Sequence, residues 1–395
     1  MNHLTSSIKI REYSPNYELY HKLTSIPNER RRTLHSLSPK SNIVFQQSSN
    51  LKPLLNLASN DYLSLSQHPD VQNAAIVAIQ SNGVGSGASR FVSGTRPLHF
   101  ELESTLGHWL GREKVLLFPS GFQANLAAVQ ALADRHTLIL ADKFIHYSLL
   151  TGIHCSGAKL KRFEHNNLID LEYKLKVIRE KSPSQALLVI SESLFSMEGT
   201  SPNIPDLITI CKKYNARLMI DEAHSIGILG PGGRGLTYNY SGVDMISGTF
   251  GKAFGSGGGF LATNNLIGNW LLQTSGAFRY STALAPPLVA ATLAALDLIQ
   301  NHPFWGKDLC KRSIDWRNQL EEAGWQRPQG IGPIIPLILG DDSKTLILKE
   351  KLEEVGLSCP AIRPPTVPNA KSRIRFVLSR GIPTNTFSRL LKNLL

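Results

Sequence analysis

The sequence predicts an α/β protein with a large domain on a mostly parallel central sheet flanked by helices, plus a smaller α/β C-terminal domain. Two observations carry this. Between residues 55 and 295, short apolar runs alternate with helical stretches, the pattern of βαβ units. After Pro286 and Pro287 one long helical stretch leads into a region with its own strand–helix–strand pattern.

The elements follow in order. Residues 1–55 are polar and irregular with weak helical signals, and read as an N-terminal arm. Within 56–295, the large domain, strand-like runs fall at 115–118, 137–141, 186–191, 217–220, 244–247 and 259–262. Phe122, Leu126, Val129 and Ala133 recur at helical spacing between the first two. Residues 288–300 form the connecting helix, and 296–395 the C-terminal small domain, with strand signals at 334–339 and 373–378 and a helical pattern between them.

A chain of 395 residues can bury a sizeable core, and its 42% hydrophobic and 18% charged residues are ordinary for a globular protein. No uninterrupted apolar run reaches membrane-spanning length, and residues 1–17 lack a signal-peptide core, so a cytoplasmic protein with no membrane partner is expected. The cysteines, Cys155, Cys211, Cys310 and Cys359, are scattered and read as buried thiols, with neither a zinc site nor a disulfide framework. The net charge of +12 attracts anions. Its basic residues are spread out apart from Arg30, Arg31 and Arg32, which fits phosphorylated metabolites such as CoA, or a carrier protein, and no nucleic acid is expected.

Five segments carry chemistry. SGTFGKAFG (247–255) sets Lys252 among glycines and small residues after a strand, which suits an amine that must reach an aldehyde and then swing aside; a solvated loop lysine is the alternative. LMIDEAHS (218–225) ends an apolar strand in Asp221, where parallel sheets place ligands, with His224 three residues on. The same D-E-A-H occurs in nucleotide hydrolases, but those need a G-x-x-x-x-G-K-[ST] loop, and the chain around Lys252 lacks its spacing and hydroxyl. FPSGFQAN (118–125) is a glycine turn opening a helix, whose free amides at Gly121 and Phe122 favour a phosphate; Thr249 can add a hydroxyl, and Thr282 can do so from a neighbouring subunit. A plain strand-to-helix turn capped by Ser120 is the alternative. In ADKFIHYS (141–148), His146 can stack on a planar ring or be an ordinary hydrogen-bonded histidine. In AIRPPTVP (361–368), two prolines stiffen the loop behind Arg363, which can grip a carboxylate with two hydrogen bonds or simply face solvent.

Together with LASNDYL (57–63), GSGASRFVSG (85–94), ESLFSMEG (192–199) and YSTAL (280–284), these segments make the chain resemble the α-oxoamine synthases of the type I pyridoxal-phosphate (PLP) fold, over residues 55–380. The resemblance implies PLP as cofactor, Lys252 as Schiff-base lysine and proton shuttle, and Asp221 as partner of the pyridine nitrogen. It implies His224 and Ser196 near the phenol oxygen, His146 stacked on the ring, and Gly121, Phe122, Thr249 and Thr282 at the phosphate. His146, also counted with Lys252 and Asp221 as catalytic, lines the substrate site as well; Asn60, Arg363 and Thr366 become substrate contacts, and Arg30 the arm's arginine, with Arg31 or Arg32 as alternatives. The implied reaction is decarboxylative condensation of L-alanine with pimeloyl-CoA, or a pimeloyl carrier protein, to 8-amino-7-oxononanoate in biotin biosynthesis, carried out by a homodimer. Glycine C-acetyltransferase shares this chemistry; a PLP-binding or nucleic-acid-binding protein without turnover is a more distant reading. Glu198 where Asp is commoner, Thr95 where many members carry an aromatic residue, and the run Gly257–Gly258–Gly259 depart from the family pattern without removing a cofactor group.

Overall fold

The computed structural model describes residues 16–34, 37–40, 43–46 and 52–394. Its large domain is a seven-stranded sheet. The strands are β1 (Lys114–Phe118), β2 (Thr137–Asp142), β3 (Lys159–Phe163), β4 (Ala186–Glu192), β5 (Arg217–Asp221), β6 (Met245–Thr249) and β7 (Gly259–Thr263). They lie in the order β1-β7-β6-β5-β4-β2-β3. Only β7 runs against its neighbours, so the sheet is mostly parallel as expected.

Side chains alternate across each strand, which divides the core in two. Leu116, Phe118, Leu188, Ile190 and Met219 pack with Ala124, Ala128 and Val129 of the helix Gly121–Leu132 and with Leu149 of Tyr147–Ser156. Val115, Leu117, Leu187, Val189, Leu218 and Ile220 face the other way, toward Leu102 and Leu106 of Pro97–Leu110, Leu207 of Ile204–Lys213 and Val289 of Pro286–Asn301. Both faces are covered, so the central strands read as continuous apolar runs. Each fully buried Leu or Ile contributes about 1.5–3 kcal/mol.

The C-terminal region forms a three-stranded antiparallel sheet in the order Ile334–Gly340, Ser372–Val377, Ala361–Ile362, with the helix Asp342–Glu354 between its first two strands in sequence. The Pro364–Pro365 peptide is cis.

Three differences from the sequence expectations have physical causes. Strand β3, KLKRF, was not expected because it is a sheet edge: only Phe163 is buried, and its lysines and arginine face solvent, a charge pattern that discourages further pairing. The region expected to be irregular contains the helix Tyr17–Thr24 and the strands Leu37–Lys40, Ile43–Gln46 and Lys52–Asn56. The last of these pairs in parallel with Leu357–Ser358, so segments far apart in sequence share one sheet. Cys155 is exposed, correcting the expectation of four buried thiols. The buried stripe of its helix is Ser148, Leu149, Gly152 and Ile153, and position 155 falls off it. Cys211 and Cys359 are buried and Cys310 is half-buried. No helix among the described residues is long and apolar enough to cross a membrane, and these residues hold no metal-ligand cluster.

Candidate active site

Four parallel strands end at one place. Asp142, Glu192, Asp221 and Thr249 are the last residues of β2, β4, β5 and β6. The loops beyond these ends carry His146, His224 and Lys252. One pocket is lined by Gly121, Phe122, His146, Asp221, His224, Thr249 and Lys252, seven of the residues singled out from sequence.

Asp221 is held rigidly. Its Oδ1 accepts the Ala223 N–H at 2.8 Å and its Oδ2 accepts Asn125 Nδ2 at 2.7 Å. Asn125 donates its other amide hydrogen to Ser148 Oγ at 2.9 Å, and Ser148 Oγ lies 2.7 Å from His146 Nδ1. Ser148 accepts from Asn125, so its own hydrogen points to His146, leaving the His146 N–H on Nε2. His146 stands at the pocket mouth, exposed on one side; burial of the rest lowers its pKa, Asp221 opposes that shift and Lys252 reinforces it.

His224 is sealed in. Its Nδ1 lies 2.6 Å from the Tyr62 hydroxyl. Burial pushes the Tyr62 phenol up to about 12, although the neighbouring Arg375 guanidinium pulls the other way. A guanidinium only donates, and of the two acceptors within reach of the hydroxyl, His224 Nδ1 is far nearer than Asn60 Oδ1 at 3.4 Å, so the phenolic hydrogen turns to His224 and leaves Nε2–H of the imidazole as a donor. Burial, then the charges of Lys252 and Arg375, hold His224 well below its ordinary pKa, so it stays neutral. Arg375 also binds Ser196 O at 2.6 Å and Asn60 Oδ1 at 3.1 Å.

Lys252 carries the reactive amine. Burial lowers its pKa from 10.5 to about 8, while the carboxylates of Asp221 and Glu192 resist the fall. Glu192 is buried and its pKa is raised well above the usual carboxyl range, first by desolvation and then by Asp221. Lysine and glutamate thus stand nearer neutrality than their free forms.

The helix Gly121–Leu132 begins at the pocket wall, with Ser120 Oγ capping the Gln123 N–H at 3.2 Å. The first amides of a helix, here Gly121 and Phe122, have no acceptor within it. Close packing requires glycine there: a Cβ on Gly121 would stand 3.0 Å from Thr249 Cβ, and one on Gly259 would stand 2.5 Å from Gly121 N. Thr249 Oγ1 donates to Gly258 O at 2.9 Å and accepts the Gly251 N–H at 3.2 Å, so the hydroxyl also ties together the lysine loop.

These groups fit PLP: an accessible amine for an aldehyde, a fixed carboxylate for a pyridine nitrogen, and unpaired helix amides for a phosphate. Asn125, Glu192 and Ser247 line the pocket, and each carries a buried polar atom (Oδ1, Oε1 and Oγ) without a hydrogen-bond partner. Such atoms favour a polar ligand.

Other candidates lie outside this lining. Ser196 meets Arg375 through its backbone, and Asn60 meets it through its side chain. Thr282 is exposed and bridges Ser89. In the arm, Arg30 pairs with Asp342 at 2.8 Å and Arg31 binds backbone carbonyls of the arm itself. Arg32 is the arginine that meets Thr366, at 2.6 Å, while Arg363 bonds to Glu29 O. Glu222 of D-E-A-H points away, bonding Ser193 Oγ at 2.8 Å and the Thr237 N–H at 2.7 Å, a structural role.

Sequence reasoning gave no role to Asn125, Ser148, Tyr62, Glu192 or Arg375. A signal existed for two of them. Glu192 ends an apolar strand as Asp221 does, and Asn125 is a polar residue on the buried stripe of an apolar helix.

A family model described as aminotransferase class I and II matches residues 52–394. A curated 8-amino-7-oxononanoate synthase of Acidithiobacillus ferrooxidans is 40% identical over 332 residues, covering 83% of this chain and 84% of that protein. Among solved structures, a serine palmitoyltransferase from S. paucimobilis with bound PLP–myriocin superposes with a TM-score of 0.85 at 25% identity, covering 91% of each chain. An 8-amino-7-oxononanoate synthase from Francisella tularensis superposes with a TM-score of 0.74 at 26% identity, over 86% of this chain and 96% of that one.

Proposed function

Because this chain belongs to the aminotransferase class I and II family and is a PLP-dependent acyltransferase, we propose that it condenses L-alanine with a pimeloyl thioester. The donor is pimeloyl-CoA or a pimeloyl carrier protein, and the products are 8-amino-7-oxononanoate, CO2 and free thiol, on the route to biotin in the cytoplasm. The observation that carries this reading is the geometry of one pocket, in which the buried Lys252 amine faces Asp221, itself fixed by Asn125 and the Ala223 amide, beside the first amides of the helix Gly121–Leu132.

PLP bound here supplies an electron sink for a carbanion at the α-carbon of the amino acid. Lys252 is the residue that would hold it, and its Nζ, once free, takes and returns the proton at that α-carbon. Asp221, fixed by Asn125 and the Ala223 amide, would keep a proton on the ring nitrogen. The His224 Nε2–H would serve the phenol oxygen, and His146 stands at the mouth where it would meet the ring. The amides of Gly121 and Phe122 would hold the phosphate. Asn60, Arg363 and Thr366 contact the substrate, with the arm's arginine reaching the same loop.

The working unit is a homodimer. Phe91, Val92, Phe100 and Tyr280 are exposed apolar side chains around the Ser89–Thr282 bridge, a surface suited to burial against a second copy that would lend its Thr282 to the phosphate. Steady-state thiol release tests the substrates: alanine with pimeloyl-CoA should outpace glycine with acetyl-CoA. The reverse order would make the chain a glycine acyltransferase.

A further inference from the structure

The chain of hydrogen bonds from Asp221 through Asn125 and Ser148 to His146 has a direction. The Asp221 carboxylate only accepts, so Asn125 must turn its NH2 toward it, and the same nitrogen gives its second hydrogen to Ser148 Oγ. Exchanging the oxygen and nitrogen of that amide would set acceptor against acceptor at Asp221. Ser148 is fully buried, and the acceptor within reach of its hydroxyl, among the described residues, is His146 Nδ1 at 2.7 Å.

A second donor meets the same ring nitrogen. His146 is the N-cap of the helix Tyr147–Ser156, and its Nδ1 accepts the Ser148 backbone N–H at 3.3 Å, as a capping serine or aspartate oxygen would. Ser148 thus sends two hydrogens to Nδ1. The other nitrogen, Nε2, enters no hydrogen bond among the described residues, although the ring lines the pocket. A proton placed on Nδ1 would confront the Ser148 N–H, and the buried hydroxyl would lose its acceptor.

The charges around the ring pull both ways. Asp221 on β5 favours an imidazolium, and Lys252 on the loop after β6 disfavours it. Glu192 on β4 is held nearer neutrality by burial, His224 is uncharged, and the helix Gly121–Leu132 offers the edge-on ring of Phe122. Hydrogen bonding at Nδ1 is therefore what decides the form of the ring.

We propose that Ser148 is a positioning residue for His146: its hydroxyl and its backbone N–H together pin the imidazole hydrogen on Nε2 and leave Nδ1 no place for a second proton. The assignment rests on the Lys252 pocket being the reaction site and deepens that reading, because it makes His146 a neutral donor of fixed orientation to an oxygen of the substrate.

The test uses holoenzyme carrying nitrogen-labelled histidine, with the His146 ring signals identified by their loss in His146→Asn. In the wild type a protonated Nε2 and an unprotonated Nδ1 should persist through about pH 6.5, where a free imidazole takes its second proton. Ser148→Ala should mix the two tautomers and move the second protonation to higher pH, and Ser148→Thr, which keeps the hydroxyl, should restore the wild-type pattern. In thiol release, kcat/KM of Ser148→Ala should fall roughly five- to tenfold, the effect of one misdirected hydrogen bond, and gain an acid limb that Ser148→Thr lacks. A proton on Nδ1 of the wild-type enzyme overturns the assignment without any variant. So does a Ser148→Ala chain whose tautomer and titration match the wild type. The ring signals are read without turnover, so failure to release thiol from any acyl donor sinks the acyltransferase reading alone.

Discussion

Stripped of PLP and mixed with it again, the chain should load at a rate that climbs about tenfold per pH unit and levels off above a pH of about 8. The attacking species is the unprotonated Lys252 amine. At pH 7 a pKa of about 8 leaves roughly one amine in ten free, whereas the ordinary 10.5 would leave roughly one in three thousand, so burial is worth roughly 300-fold in nucleophile. Asp221 and Glu192 hold the value up, so Asp221→Asn should carry the midpoint to lower pH, by about one unit. Stopped-flow absorbance in the visible band of the loaded cofactor reads the rate, and Lys252→Ala should show no such band. The folded pKa lies below the unfolded one, so between about 8 and 10.5 the unfolded chain binds the extra proton and this group adds to apo-chain stability as pH rises. A loading rate flat between about pH 6 and 9, a midpoint at the ordinary lysine value, or an upward shift in Asp221→Asn would refute the reasoning.

Two substitutions probe the frame around that amine. Gly121→Ala places a methyl 3.0 Å from Thr249 Cβ; overpacking of this kind costs about 1–3 kcal/mol, so equilibrium dialysis should find PLP held roughly ten- to hundredfold more weakly. Asn125→Ala removes the donors to Asp221 and Ser148. With one of the two bonds made to a buried carboxylate, the loss should be about 2–4 kcal/mol, seen as a lower urea midpoint; an unchanged midpoint would mean that the network carries little.

Much of this was legible because the central sheet is covered on both faces. Its strands are apolar runs, and functional residues stand where those runs stop, so Asp221 and the Lys252 loop could be placed without coordinates. What escaped depends on pairing between distant parts of the chain. Asn125 meets Asp221 96 residues away, Tyr62 meets His224 162 away, and Asn60 meets Arg375 315 away. A polar residue without its partner in view looks like any other. The arm shows the same limit in finer form: three consecutive arginines are alike in sequence, and only folding gives Arg32 to Thr366 and Arg30 to Asp342. Strand β3 escaped because an edge exposed to water has no need of the apolar signature.

The strand Lys52–Asn56 has a consequence for biosynthesis. One of its edges pairs with the nearby strand Ile43–Gln46, but on the other edge Leu55 meets Leu357. The amides and carbonyls around it that bond to Gly356, Ser358, Val377 and Arg380 must likewise wait for nearly the whole chain to be made. Until residues 356–380 are made, the second edge of this segment stays open, and Asn60 and Tyr62 just beyond it lack the arginine that later orders them. The cofactor chamber is therefore completed late, after the large sheet has formed, and the nascent chain carries an open strand edge for other chains to capture until residues 356–380 emerge.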